Sequence, residues 1–297
     1  MGGCSNGRGR QVRTVPKKPV NSNMVPLDGL GIIPERDAGK PPILDIRHLC
    51  VDFGGLRAVD DFTLLIGKTE IAGLIGPNGA GKTTVFNLLT NVYKPTQGGI
   101  LLNGQDTRGK SMHELNRLGI ARTFQNIRLF AGMTVEDNVK VGMSHGYNDG
   151  VFTDMFRLPG WWRTERRQHV RALELLDLFN LTDKADQLAG NLPYGDQRRL
   201  EIVRALASDP KLLLLDEPAA GMNPSETHEL MDNIRMLRDQ FNIAIMLIEH
   251  DMNLVMGICE GIAVLNYGKI IAKGTPKEIQ SNPVVIEAYL GEEAIHA

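Results

Sequence analysis

Cysteines are scarce in this sequence of 297 residues, which contains only Cys4, Cys50 and Cys259. They stand far apart and show neither a CxxC spacing nor a Cys/His cluster, so a structural zinc site or a disulfide framework is disfavoured. Long apolar runs are lacking too. The longest, over residues 243–248, has six residues, whereas a membrane-spanning helix needs about 20. If the protein serves a membrane, another subunit is expected to cross it.

A strong net charge is also lacking, since the formal charge is -2. The apolar share of 42% and the charged share of 23% are ordinary for a globular protein with a sizeable core. Residues 1–40 differ from the rest. They hold seven Lys and Arg against three Asp and Glu and are rich in Gly, Pro, Asn and Ser, which predicts a disordered basic arm. Such an arm is either a solvated tail or a contact to anionic lipid or nucleic acid.

From residue 41 the hydrophobic pattern predicts alternating strands and helices. Short strands are expected near 43–49, 58–65 and 70–75, and buried parallel strands at 212–215 and 243–248. A helix is expected over 83–91, and residues 111–190 are predicted to be mostly helical with a break at 146–162. The end of the chain predicts a hairpin that turns at Asn266-Tyr267-Gly268 and a capping box from Thr275 to Glu278.

A glycine-rich segment after the strand at 70–75 matches the phosphate-binding P-loop pattern at every fixed position. It reads Gly76-Pro77-Asn78-Gly79-Ala80-Gly81-Lys82-Thr83. Glycines let backbone N–H groups approach phosphate oxygens, and the helix that follows points its positive end at the same anion. In this pattern Lys82 reaches the β- and γ-phosphates and the Thr83 hydroxyl binds Mg²⁺. The segment therefore predicts binding of a nucleoside triphosphate with Mg²⁺.

Two carboxylates follow a run of four leucines, as Asp216 and Glu217. A buried strand delivers them to the carboxyl edge of a parallel sheet, where α/β folds bind ligands. Asp216 is expected to hold Mg²⁺ directly or through water. Glu217 is expected to orient and polarise the attacking water.

Further motifs, in their order and spacing over residues 43–273, resemble those of the ABC ATPases. Gln125 resembles the family's Q-loop glutamine, and residues 192–197 (LPYGDQ) occupy the place of its LSGGQ signature. Residues 220–223 fall where the D-loop lies, His250 matches the switch histidine, and Phe53 matches the aromatic residue that stacks on adenine.

The resemblance implies an α/β P-loop core, an antiparallel β-subdomain and an inserted helical subdomain near 126–200. Together these would form an ATPase domain over residues 41–292, followed by a tail at 293–297. It implies a nucleotide-binding set of Phe53, Gly76, Pro77, Asn78, Gly79, Ala80, Gly81, Lys82, Thr83, Thr84, Gln125 and Gly195. The implied Mg²⁺ ligands are Thr83, Gln125 and Asp216, and the implied catalytic residues are Glu217, His250 and Lys82. Two subunits would enclose two ATP molecules, each between one P-loop and the other subunit's Gly195 region.

Within the family, the sequence is most similar to ATP-binding subunits of branched-chain amino acid uptake systems, through residues 53–56, 194–202, 219–224 and 283–291. That implies membrane permease subunits and a second ATPase subunit as partners, a solute-binding protein as an indirect partner, no nucleic acid, and a place at the cytoplasmic face of the membrane. Related branches for urea or short amides, or for lipopolysaccharide export, remain alternatives. So do a non-transport ABC ATPase and, outside the family, a small-molecule kinase.

Four residues depart from the general family pattern. Pro193, Tyr194 and Asp196 replace the signature's Ser, Gly and Gln, and Asn223 replaces the usual D-loop Asp. The proline removes a hydroxyl that would contact the γ-phosphate. In the helical subdomain, the pair at 161–162 (WW) either touches the membrane partner or packs locally.

Overall fold

The computed structural model describes residues 24–27, 31–143 and 159–296. Its strands are β1 Met24–Leu27, β2 Gly31–Pro34, β3 Leu44–Phe53, β4 Leu56–Ile66, β5 Ile71–Ile75, β6 Gln97–Leu102, β7 Gln105–Asp106, β8 Ile120–Arg122, β9 Leu212–Asp216, β10 Ala244–Ile248, β11 Gly261–Asn266 and β12 Lys269–Gly274. Its α-helices are α1 Lys82–Leu89, α2 Met112–Leu118, α3 Val135–Gly142, α4 Pro159–Asp177, α5 Tyr194–Leu206, α6 Pro224–Phe241, α7 Met252–Ile258, α8 Pro276–Gln280 and α9 Pro283–His296. Three short 3-10 helices span Glu35–Asp37, Thr182–Lys184 and Ala189–Asn191.

A six-stranded sheet in the order β12-β11-β5-β10-β9-β8 carries the site. Every strand pair in it is parallel except β11 with β12. All residues of β5, β9 and β10 are buried, as expected for strands covered on both faces. The parallel arrangement brings the carboxyl ends of these three strands to one edge.

A second, antiparallel sheet in the order β4-β3-β6-β7 forms its own layer. Its apolar residues pack with α1 and one face of the large sheet, where Phe62 and Phe86 are fully buried. A second apolar core lies on the other face of the large sheet, beneath α3–α7. Both layers therefore hold β5, which leads into the P-loop, from opposite sides.

The hairpin and the capping box predicted near the end of the chain are both present. Strands β11 and β12 are joined through Tyr267 and Gly268, which have positive φ values of 44° and 77°, as a tight hairpin turn requires. The Thr275 side chain accepts from the Glu278 backbone, and the Glu278 side chain accepts in return.

The predicted disordered arm is wrong for the part of residues 1–40 that the structure describes. Strands β1 and β2 pair antiparallel, and Arg36 donates to Glu260 at 2.6 and 2.5 Å and to the Thr69 hydroxyl at 2.7 Å. Residues 1–23 and 28–30 lie outside the described residues. The composition of residues 1–40 did not predict the contacts of Arg36, because their partners are more than 30 residues away along the chain.

The predicted helical content of residues 111–190 is only partly correct. Strand β8, which the sequence analysis missed, lies at the edge of the large sheet, and residues 123–134 connect it to α3 without a helix. Of the predicted break at 146–162, residues 146–158 lie outside the described residues, whereas 159–162 belong to α4. Three residues are too short to show a periodicity, which explains why β8 was not predicted. Among the described residues, none of the helices has the length and apolarity for a bilayer crossing.

Candidate functional site

The P-loop starts where β5 leaves the centre of the large sheet, and its glycines are required by close backbone packing. Gly76 has a φ of 151°, and a Cβ there would lie 1.9 Å from the Leu265 carbonyl oxygen. Gly81 caps α1 in the left-handed region, at a φ of 105°, and a Cβ would lie 3.0 Å from the Ala58 carbonyl oxygen. The loop thus forms a narrow backbone cradle at a helix N-terminus, where an anion is stabilised.

The Lys82 ammonium group lies over this cradle. Its Nζ donates to the carbonyl oxygens of Gly76 and Pro77, at 2.6 and 2.8 Å. The loop is also anchored from the side, since the Gly268 backbone donates to the Ala80 carbonyl at 2.8 Å. A cation therefore lies beside the backbone cradle at the start of α1.

Asp216 at the end of β9 is buried and paired with a residue that the sequence analysis did not single out. Arg122 ends the neighbouring strand β8, and its Nη2 donates to Asp216 Oδ2 at 2.8 Å. Its Nη1 donates to Asn87 Oδ1 at 2.7 Å, which links the pair to α1. Arg122 thus compensates the charge of the carboxylate expected near Mg²⁺.

Three sequence-predicted residues converge on one point past the sheet edge. Gln125 Nε2 donates to Glu217 Oε2 at 2.8 Å, and His250 Nδ1 lies 3.7 Å from Glu217 Oε1. Glu217 has a φ of 49°, and its N–H donates to the Ile248 carbonyl on β10. The backbone therefore aims this carboxylate, and an amide and an imidazole flank its two oxygens.

Glu249 is a further residue that sequence reasoning missed. It is 1% exposed, and its two carboxylate oxygens accept from the Ala219 N–H at 2.8 Å and the His250 N–H at 3.2 Å. Burial raises its pKa, an effect that these hydrogen bonds oppose. Through these two hydrogen bonds, Glu249 joins the segment after Glu217 to the segment that carries His250. The sequence signal that could have identified Glu249 was its position directly after the apolar run at 243–248.

The proposed adenine-stacking residue lies in the antiparallel sheet. Phe53, at the end of β3, is 42% exposed and makes an edge-on contact with Tyr93, with ring centroids 5.0 Å apart. Tyr93 was not predicted. Its position 40 residues after Phe53 gives no local signal, and the contact leaves Phe53 a partly open aromatic surface next to a second ring.

The signature segment starts helix α5. Pro193 is its N-cap and makes no side-chain cap hydrogen bond, so the first N–H groups of the helix lack a partner from that residue. A Cβ at Gly195 would lie 3.2 Å from Glu226 Oε1, and one at Gly221 would lie 3.0 Å from the Tyr194 ring. The D-loop and the start of α6 thus pack against the signature within the same chain.

The donor set fits Mg²⁺ with a nucleotide. Among the described residues, no group of three or more His, Cys, Asp or Glu residues is arranged to hold a metal on its own. The hydroxyl of Thr83, the amide oxygen of Gln125 and the carboxylate of Asp216 are hard oxygen donors, which suit Mg²⁺ when phosphates supply further ligands. The backbone cradle that a Cβ would fill suits the phosphates themselves.

The family model described as ABC transporter matches residues 59–220, which is more than half of the chain. The chain belongs to the ABC transporter family. A second model, described as branched-chain amino acid ATP-binding cassette transporter, matches residues 269–295 of this ABC protein.

The match extends over nearly the whole length of several similar proteins. The ABC chain is 49% identical to the high-affinity branched-chain amino acid transport ATP-binding protein LivG of Escherichia coli K12, over 84% of this chain and 98% of that protein. It is 47% identical to the corresponding protein BraF of Pseudomonas aeruginosa, with the same coverage. The crystal structure of the ATP-binding cassette MJ1267 in its ADP conformation has a TM-score of 0.74 at 30% identity, over 84% of this chain and 99% of that one. The chain is thus an ABC-type ATPase coupled to transport, with the predicted P-loop α/β fold.

Proposed function

We propose that this ATPase energises an importer of branched-chain amino acids from the cytoplasmic face of the membrane. The observation that carries the hydrolysis is the convergence of Gln125, Glu217 and His250 beyond the edge that also bears the P-loop. The identities of 47% and 49% to transport subunits named for branched-chain amino acids support the substrate. The match of the branch-specific model to residues 269–295 supports it independently.

The side chains have separate roles in this proposal. Lys82 exchanges its two carbonyl partners for oxygens of the β- and γ-phosphates, and the P-loop N–H groups and Thr84 complete the phosphate cradle. Thr83, Gln125 and Asp216 would hold Mg²⁺, which would neutralise charge on the phosphates. Glu217 accepts the proton of the attacking water, and His250 contacts the γ-phosphate from the same edge.

A second copy of an ATPase subunit completes each site. The 13-residue helix α5 begins without a side-chain cap, and a helix N-terminus of this kind stabilises an anion. We place the Gly195 region of one subunit against the nucleotide on the P-loop of the other. ATP then favours the closed pair and hydrolysis favours the open one, because the ligand contacts both halves only when they are closed.

A groove beside the large sheet suits a permease. It has a volume of about 370 Å³ and is lined by residues of the segment after β8, by α3 and by α5. Phe130 and Val141 on its rim are 49% and 39% exposed, and Arg128 stacks over the Phe124 ring at 4.4 Å. A groove lined by both apolar and basic side chains fits a short amphipathic segment of a permease. Helices α3 and α5, which line the groove, belong with α4 to the proposed helical subdomain.

Reconstitution tests both parts of this proposal. The chain is co-expressed with its permease and binding protein, and ATP hydrolysis and uptake of labelled leucine into vesicles are measured. Lys82→Ala is expected to reduce both by at least about a hundredfold, because it removes the main cation at the phosphates. The exposed Lys277→Ala on α8 is the matched control.

The outcomes separate the alternatives. Wild-type turnover in Lys82→Ala would contradict the P-loop assignment. Normal hydrolysis with uptake of urea or short amides, or with lipopolysaccharide movement, in place of leucine would contradict the substrate while leaving the ATPase intact.

A further inference from the structure

The inner face of α5 holds the backbone of residues 124–128, which we call the Q-loop segment. Arg198 donates to two consecutive carbonyl oxygens, that of Phe124 at 2.7 Å and that of Gln125. Glu201 Oε1 accepts from the N–H groups of Phe124 and Arg128, each at 3.4 Å. Arg204, one turn further on, donates to the Arg128 carbonyl at 2.5 Å. Five hydrogen bonds thus join one helix to one short segment.

Arg198 and Glu201 form a buried ion pair while they hold this segment. Their side chains are 3% and 2% exposed and lie 3.3 Å apart. Burial raises the pKa of Glu201, and the charge of Arg198 opposes that shift. Charged pairs are costly to bury and seldom improve on apolar residues for stability alone. An arginine has the planar fork that reaches two carbonyls at once, which a lysine lacks.

The hydrogen bonds from α5 go to the backbone of the Q-loop segment and do not involve the side chain of Gln125. That side chain extends to Glu217, 2.8 Å away. The same helix begins at Tyr194, after its N-cap Pro193, and carries Gly195 in its first turn. One rigid element of 13 residues therefore connects the region that faces the partner subunit's nucleotide to the amide beside this subunit's own Glu217.

We propose that Arg198 and Glu201 are positioning residues that lock the Q-loop segment to α5, so that Gln125 and the Gly195 region move as one unit when the second subunit closes. The inference rests on the proposed roles of Gln125 and Gly195. It assigns the link between the two nucleotide sites to a buried pair that touches neither nucleotide.

Packing alone does not account for the pair. Helix α5 already has an apolar face against the core, formed by Leu200, Val203 and Leu206, each fully buried. The pair lies beside that face and is directed at a segment without helix or strand. A structural role would hold α5 in place, whereas a positioning role acts on Gln125 and shows in the chemistry.

The first experiment compares Arg198→Met and Arg198→Lys in the assembled transporter. Lysine keeps the charge beside Glu201 and the fold, so it guards against a result due to misfolding, yet it cannot donate to two carbonyls in a fixed geometry. Both variants are expected to lose about tenfold or more in kcat, to need more Mg²⁺ for half-maximal rate, and to bind ATP within about threefold of wild type. Full kcat in Arg198→Lys would overturn the proposal.

A double-mutant cycle with Gln125→Ala is the decisive readout. If Arg198 acts through Gln125, adding Arg198→Met to Gln125→Ala lowers kcat by less than about twofold more, because the shared step is already lost. Multiplicative losses would overturn the link. A normal kcat in Gln125→Ala itself would instead contradict the proposed role of Gln125, so the two failures are distinguishable.

The matched control is Arg235→Met on α6. Arg235 also pairs with an acid three residues away, Asp232 at 2.9 Å, and also donates to a backbone carbonyl, that of Gly257 at 2.7 Å. It lies outside the site, and kcat and the Mg²⁺ requirement are expected to stay at wild-type values. An equal kcat loss in this variant would assign the Arg198 effect to general destabilisation and overturn the proposal.

Discussion

Gln125 and Glu217 are 92 residues apart in the chain, yet Gln125 Nε2 donates to Glu217 Oε2 at 2.8 Å. The other carboxylate oxygen lies 3.7 Å from His250 Nδ1, and the positive φ of Glu217 fixes the direction of its side chain. The carboxylate is therefore oriented from three elements that follow β8, β9 and β10.

The Glu217→Gln variant is expected to bind ATP and scarcely hydrolyse it. The amide has nearly the same shape as the carboxylate but is a very poor base, so proton removal from water is lost. ATP-bound pairs of subunits then accumulate, which size-exclusion chromatography with ATP and Mg²⁺ detects. The control is Glu174→Gln on α4, 58% exposed. A fully active, monomeric Glu217→Gln variant would show that another group is the base.

Changes in the signature segment are expected to differ sharply in their effect. Pro193→Ser adds a hydroxyl, but the backbone N–H groups at the start of α5 remain the main donors, so turnover changes by less than about tenfold. Gly195→Asp nearly abolishes turnover, since it places a carboxylate where the γ-phosphate approaches and 3.2 Å from Glu226 Oε1 at the Cβ position. Steady-state ATPase of the assembled transporter measures both. Full activity of Gly195→Asp would mean that this segment does not close over the nucleotide.

Two N-terminal truncations distinguish the basic residues 1–22 from the segment with β1, β2 and Arg36, which contacts the rest of the protein. Deleting residues 1–22 is expected to leave ATPase activity and thermal stability unchanged, because every motif lies beyond them. Deleting 1–40 keeps activity at low temperature but lowers the Tm by several degrees. It removes the Arg36–Glu260 pair and the buried Asp37, whose Oδ2 accepts from the Thr69 N–H at 2.8 Å. Differential scanning calorimetry, with Arg36→Gln in the full chain for comparison, tests this; an unchanged Tm in the longer deletion would contradict it.

The stability of Glu70→Gln relative to the native chain is expected to depend on pH. Glu70 is fully buried, and burial raises its pKa from 4.5 to about 8, while a hydrogen bond from the Gly67 N–H opposes the shift. Between these values the native state keeps a proton that the unfolded chain releases, so native stability falls as pH rises. The glutamine variant never ionises and should gain a few kcal/mol relative to Glu70 from pH 5 to pH 9. Urea unfolding at pH 5, 7 and 9 measures this, and parallel stability curves would contradict it.

The sequence alone determined the parts of this protein whose signal is local. The P-loop from Gly76 to Thr83 is one contiguous segment, its spacing is set by the phosphates, and the buried strand before it is read from its apolar run. The hairpin through Gly268 and the box from Thr275 to Glu278 are equally local. The order and spacing of all the motifs over residues 43–273, through their resemblance to the ABC ATPases, sufficed to predict the family and the fold.

Only the tertiary structure decided the contacts between distant segments. It paired Arg122 with Asp216, placed Tyr93 against Phe53, and docked Arg36 on Glu260, 224 residues away. It also turned Arg198 and Glu201, which look like ordinary polar helix residues, inward onto the Q-loop segment. A charge on a helix is exposed or buried according to what packs against it, and that neighbour comes from another part of the chain.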